Sequence, residues 1–176
     1  MNKENTEELL DPQLKTNQKR KRESRSRIIC IGLLLLLIVC IEVSWRILTA
    51  AERHNQALEL NEEGELQYNA GNYDEAVSLL NESIKIDSGI ERTYKLLAYS
   101  YKKLKDYDKA ETALEDGIKT QTDKGALTDL YLQLYYVYYD AGWSDEAKTE
   151  MLKDAYAATG DSRFKSLDAI KEYTDT

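Results

Sequence analysis

Two short stretches, NYDEA at 72–76 and DYDKA at 106–110, say nearly the same thing at an offset of thirty-four residues. Extending the comparison sets LELNEEGELQYNAGNYDEAVSLLNESIKIDS over RTYKLLAYSYKKLKDYDKAETALEDGIKTQT, with Tyr73 over Tyr107 and Ala76 over Ala110. A looser third unit, LYLQLYYVYYDAGWSDEAKTEMLKDAYAATG, places Ala147 thirty-seven residues after Ala110, so three residues are inserted near 121–125. Each unit reads as an amphipathic helix, a short turn (70–72, 104–106, 141–144) and a second helix opening on acid and alanine. Self-similarity at such a period is the mark of stacked units that bury their apolar faces only against neighbours. Alanine at the start of the second helix lets two helices approach closely, and Asp74, Glu75, Asp108, Asp145 and Glu146 suit a helix N-terminus electrostatically.

Composition agrees with an all-α chain: of 176 residues, one is Pro and eight are Gly, so helix breakers are scarce. The length accommodates one compact domain plus appendages. The formal net charge of −8 is unevenly spread, since residues 1–45 hold eight Lys/Arg against six Asp/Glu and the remainder holds 16 against 26. An acidic body without a broad basic face excludes nucleic acid, whose binding needs phosphates neutralised.

The repeat resembles the tetratricopeptide repeat (TPR). The matching residues are Gly64 and Ala98 as the small residue of the first helix, Gly71 and Gly142 at the turn, and Tyr73, Tyr107, Ala76, Ala110 and Ala147 opening the second helix. Ser88 and Thr122 stand where that family often has Pro, and Tyr135 where a small residue is usual. The resemblance implies three units, at 57–90, 91–124 and 128–160, packed as a helical-hairpin solenoid. Residues 161–176 read as a C-terminal capping helix, with Asp161 as its cap and Phe164, Leu167 and Ile170 on one stripe.

Ahead of the repeats lies RIICIGLLLLLIVCIEVSW. The segment 28–45, beginning at Ile28 and closed by Trp45 as an interfacial anchor, is eighteen residues long, about 27 Å of helix against a hydrocarbon core near 30 Å. Glu42 near its edge reaches the interface. Lys15, Lys19, Arg20, Lys21, Arg22, Arg25 and Arg27 precede the span, while Arg46 and Arg53 are the cations shortly after it. The positive-inside bias then keeps the N-terminus in the cytoplasm and places the repeats across the membrane. The site TAA ending at Ala51 is a feeble cleavage signal, and Val39 spoils the lipobox-like LIVC, so an uncleaved anchor is expected. Residues 1–27 read as a disordered basic tail and 46–56 as a helical stalk running without a break into the first repeat helix. Cys30 and Cys40, roughly 15 Å apart on one helix, cannot pair with each other and read as lipid-facing filler, with palmitoylation or a thiol link between two anchors as the alternatives.

No catalytic, cofactor or metal signature is found. His54 is the single histidine, no cysteine follows residue 40, and no P-loop, GxSxG or GxGxxG is present, so no enzyme, cofactor or small-molecule substrate is expected. What the chain offers is surface. By the resemblance, the first helices line a concave groove for a partner segment. Its carried-over positions are Leu58, Asn61, Glu65 and Tyr68, then Arg92, Lys95, Tyr99, Lys102 and Lys103, then Leu132, Tyr136 and Tyr139. Tyrosine supplies contact area at low entropic cost, and four cations on an acidic body favour an acidic protein or peptide. Glu65 departs from the carboxylate clamp by which some members of the family hold chaperone C-termini, so that ligand is not expected. These readings converge on a single-pass scaffold, envelope assembly factor or holding chaperone outside the cytoplasm. Two alternatives are a homo-oligomer joined through LYLQLYYVYYD or the span, with an empty groove, and a cytoplasm-facing import receptor.

Overall fold

The computed structural model describes residues 12–174, which fall into two compact units meeting at Ala50 and Ala51. Helix α1 (Pro12–Asn69) enters both. In the first unit it carries the apolar stretch, whose best window has a mean hydropathy of 2.7 and none of its surface buried. Leu33, Leu36, Val39 and Trp45 are all more than half exposed, so no other described part of the chain covers this stretch. Residues 12–27 are helical where the sequence suggested a disordered tail, and the rest of that tail lies outside the described residues. Pro12 at the first helical position costs no hydrogen bond, and no further Pro or Gly interrupts the run until Gly32.

The second unit starts on residues 51–69 of α1 and continues with α2 (Tyr73–Ile86), α3 (Glu91–Lys103), α4 (Tyr107–Thr120), α5 (Lys124–Asp140) and α6 (Asp145–Thr159). A short 3-10 turn (Ser162–Lys165) and α7 (Leu167–Thr174) end it. Each helix packs on its chain neighbours, and α3 also meets α5.

The three intra-hairpin turns are the same device. The N–H groups of Asn72, Asp106 and Trp143 donate to the carbonyls of Gln67, Tyr101 and Tyr138 at 2.9, 2.9 and 3.1 Å. One residue earlier, Gly71, Lys105 and Gly142 donate to Tyr68, Lys102 and Tyr139 at 3.0, 3.1 and 3.1 Å. This pairing of a six-to-one with a five-to-two bond stops a helix by satisfying its last carbonyls, and it needs a left-handed residue. Gly71 and Gly142 take that conformation at φ 84° and 71° without strain, whereas Lys105 takes it at 61° against its own Cβ.

Closing each hairpin is a matter of small residues. A Cβ placed on Gly64 would lie 2.9 Å from Leu80 Cγ, so α1 and α2 touch at a distance that only glycine allows. Ala76, Leu80, Ala110 and Leu114 are wholly buried and Ala98 nearly so. The packing around the first two units is partly polar: Asn61 Nδ2 donates across to Thr93 Oγ1, and within the first hairpin Ser83 Oγ donates to the Ala57 carbonyl, each at 2.8 Å. Asn61 was expected to face the groove but is only 1% exposed, because α3 packs across it.

The third hairpin differs. Asp123 caps α5 by accepting from Ala126 N–H at 3.0 Å, so the inserted residues lengthen this helix, which starts at Lys124 and not near 128. Tyr135 is buried where the other units have Gly64 and Ala98, and Ala147 opposite it is only half-buried. Ser144 caps α6. The expected capping helix is divided: Ser166 is extended, at φ −160° and ψ 163°, and its hydroxyl accepts from Ala169 N–H at 3.1 Å, starting α7 anew. Phe164 and Ile170 still close the core, Phe164 edge-on to Tyr131 at 6.2 Å.

Two stability measurements test this packing, both by thermal unfolding of the full chain in detergent. Ala76→Leu and Ala110→Leu should each cost about 1–3 kcal/mol by overpacking, whereas Ala147→Leu should cost under about 0.5 kcal/mol. Equal losses at all three would refute the asymmetry. Lys105→Gly should stabilise by about 0.5–1 kcal/mol through relief of left-handed strain, and a lower melting temperature would count against the turn described.

Candidate functional site

Residues 51–69 of α1, α3 and α5 lie side by side, and their outward faces form a groove. Tyr68 on α1 stacks obliquely on Tyr99 of α3, ring centroids 6.5 Å apart, and on Tyr73 at 5.5 Å. Tyr136 on α5 is near enough to act on the Tyr99 phenol, which burial pushes up and Lys95 pulls down. Tyr68, Tyr99 and Tyr136 are each half-buried, so each leaves a ring edge to solvent. Tyr139 is 62% exposed but turns toward α6, with the Lys148 ammonium 5.9 Å from its ring centre and the Tyr135 ring at 6.5 Å.

The cations of the middle unit do lie along this face, but most are engaged. Arg92 is bonded to Glu65, the acid that also bars the carboxylate-clamp geometry. Lys95 reaches Glu91 at 2.5 Å and Asp129 at 3.6 Å. Burial pulls its ammonium down, yet the Glu91 hydrogen bond and the charges of Glu91 and Asp129 leave it above the ordinary lysine value. Lys102 meets Asp140 at 2.6 Å. The centre of the groove is therefore close to neutral, and the picture of four steering cations is corrected by acids arriving from α1 and α5.

Positive charge survives at one end. Lys103 and Lys105 form no ion pair among the described residues, and with Lys102, Tyr68, Tyr99, Tyr107 and Asp140 they surround a cavity of about 470 Å³. Lys105 Nζ donates to Tyr107 Oη at 3.4 Å. Sequence reasoning missed Lys105, Tyr107 and Asp140. Lys105 had a signal, since the repeat aligns it with Gly71 and Gly142, a place where a side chain is an anomaly. Of the other carried-over positions, Leu58 is 37% exposed, whereas Leu132 at 8% is core. The tyrosine-rich run 130–140 is likewise mostly spent internally, with Tyr131 and Tyr135 buried.

Comparison with known proteins points to the fold. The family described as anaphase-promoting complex, cyclosome, subunit 3 matches residues 41–117. No curated protein matches the chain in sequence. Among solved structures, the first TPR of Spaghetti (RPAP3) bound to the HSP90 peptide SRMEEVD is similar at 19% identity and TM-score 0.52, covering 69% of this chain and 90% of that one. The Arabidopsis OM64 TPR domain is similar at 16% identity and TM-score 0.52, over 70% and 98%. The second TPR domain of human RPAP3, in complex with the HSP70 peptide SGPTIEEVD, gives 16%, 0.53, 70% and 96%. With three hairpins closed by the same turn, the second unit has the tetratricopeptide-repeat fold.

Proposed function

We propose that the protein is a membrane-anchored interaction scaffold that holds an extended, acid-bearing segment of a partner protein in the groove along its first helices. The observation that carries this reading is the junction of half-buried tyrosines with Lys103 and Lys105, which have no ion-pair partner among the described residues. Aromatic faces desolvate a bound backbone, and two unneutralised ammonium groups at one end favour Asp or Glu there and set the direction of the segment. Two of the similar structures hold acidic peptides in the same kind of fold, which supports the class of ligand. Glu65, bonded to Arg92, argues against a terminal carboxylate at that position, so a chaperone C-terminus is not proposed.

The anchor is the apolar part of α1, exposed on every side and flanked by seven cations on its N-terminal side. That asymmetry supports an N-terminus in the cytoplasm and repeats outside it, in the role of an envelope assembly factor or holding chaperone.

Alkaline phosphatase fused after Thr176 should be active in cells, and strong signal from a cytoplasm-only reporter at that point would reverse the orientation. A photo-crosslinker at Tyr99 should capture a partner from native membranes. Lys103→Glu with Lys105→Glu should weaken that partner about tenfold and flatten its salt dependence, since opposite charges are screened over about 8 Å at physiological ionic strength. Unchanged affinity at low and high salt would remove the groove end from the interface.

A further inference from the structure

The side of the array away from the tyrosine groove holds a second cleft of opposite character. Three positions close each of the first two hairpins: Gly64, Ala76 and Ser83 in one, Ala98, Ala110 and Gly117 in the other, and all six are buried. Their counterparts in the third unit are Tyr135, Ala147 and Asp154, of which the last two are half-buried and exposed. A phenol ring and a carboxylate do not pack as Gly, Ala and Ser do, and Asp154 accordingly sits in solvent at the edge of an opening on this side. The opening is a cleft of about 440 Å³ between α4 and α6, with α5 as its floor.

The floor is apolar, made by Ile118, Leu134, Ala147 and Met151 with the tyrosine rings. The rim is acidic. Glu115, Glu150 and Asp154 border it, and its one cation, Lys119, is held by Asp116 at 2.9 Å. Lys153 engages Glu150 at 3.0 Å, but neither Glu115 nor Asp154 has an ion-pair partner among the described residues. Their field reaches the interior: burial raises the Tyr131 phenol and Asp154 and Glu115 push it the same way. The Tyr138 hydroxyl is already committed, donating to Glu111 at 2.6 Å.

We infer that this cleft binds a cationic amphipathic segment of a partner protein, an Arg or Lys head lying between Glu115 and Asp154 and neighbouring apolar side chains on Leu134 and Met151. A long cationic side chain lays its stem on apolar surface and keeps its head among charges, which is the pattern of floor and rim here. An acidic segment is repelled, and a purely apolar one leaves both carboxylates unpaired. The chain's own basic run, KTNQKRKRESRSR, has no apolar residue among its cations and so does not match the floor. The two faces of the array thus select segments of opposite charge.

The test uses the full chain in nanodiscs of uncharged lipid and a fluorescent amphipathic peptide of Leu, Ala and Arg, with Arg and Leu on one helical face, beside its Glu-for-Arg counterpart. Fluorescence anisotropy should show the Arg peptide bound and the Glu peptide not. Glu115→Lys with Asp154→Lys should weaken binding at least about tenfold, and Lys103→Glu with Lys105→Glu should leave it unchanged. The neutral pair Glu115→Gln and Asp154→Asn, which adds no repulsion, should weaken it less and reduce its salt dependence, which keeps the test decisive if the lysine variant melts early. Binding of both peptides alike, binding indifferent to either rim variant, or no binding overturns the proposal. So does a dimer of the full chain that the rim variants dissociate, since a second copy would then occupy the cleft.

Discussion

Everything in the repeat unit depends on how closely two helices of one hairpin can approach. Gly64 lies so close to Leu80 that a Cβ there would clash, and Ala98 and Ala110 are buried in the corresponding places of the next hairpin. Dispersion between such surfaces falls steeply with separation, so an extra half ångström forfeits much of it. The close approach in turn decides where the side chains on the outer edges point. Tyr68 and Tyr99 meet across neighbouring units, their ring centroids 6.5 Å apart.

The third unit shows the converse. Tyr135 fills the place of a small residue, Ala147 is only half-buried, and Asp154 lies in solvent. A cleft of about 440 Å³ lies beside this hairpin, between α4 and α6. One face then offers aromatic rings beside Lys103 and Lys105, and the other an apolar floor beside Glu115 and Asp154, none of the four in an ion pair among the described residues.

The period of thirty-four residues, the turns and the buried Ala76 and Ala110 were legible because they are local and recur in register. Helix α1 runs on through Gly64 to Asn69, with the glycine inside the helix where it makes room for Leu80. What escaped depends on side chains meeting from separate elements. Glu65, Asp129 and Asp140 come from α1 and α5 to neutralise cations on α3, and no spacing along α3 announces them. Asn61 looked like a polar surface residue and is a buried donor, since only the packed α3 supplies Thr93 as its acceptor. The division of the last helix turned on a single hydroxyl, that of Ser166, which competes for the backbone as serine commonly does. Lys105 could have been noticed by alignment with two glycines, because a side chain there opposes a backbone rule.

The hydrogen bond from Asn61 to Thr93 bears on assembly as well as on stability. Repeats so alike in pattern can stack in wrong registers, since an apolar stripe slides past another with little change in area buried. A slip of one turn would leave the Asn61 amide buried without its acceptor, at a cost of about 1–3 kcal/mol, and strand the Thr93 hydroxyl as well. The polar pair is thus a proofreading device: it adds little to the correct stack, yet it makes near-copies of that stack distinguishable while the chain is still folding.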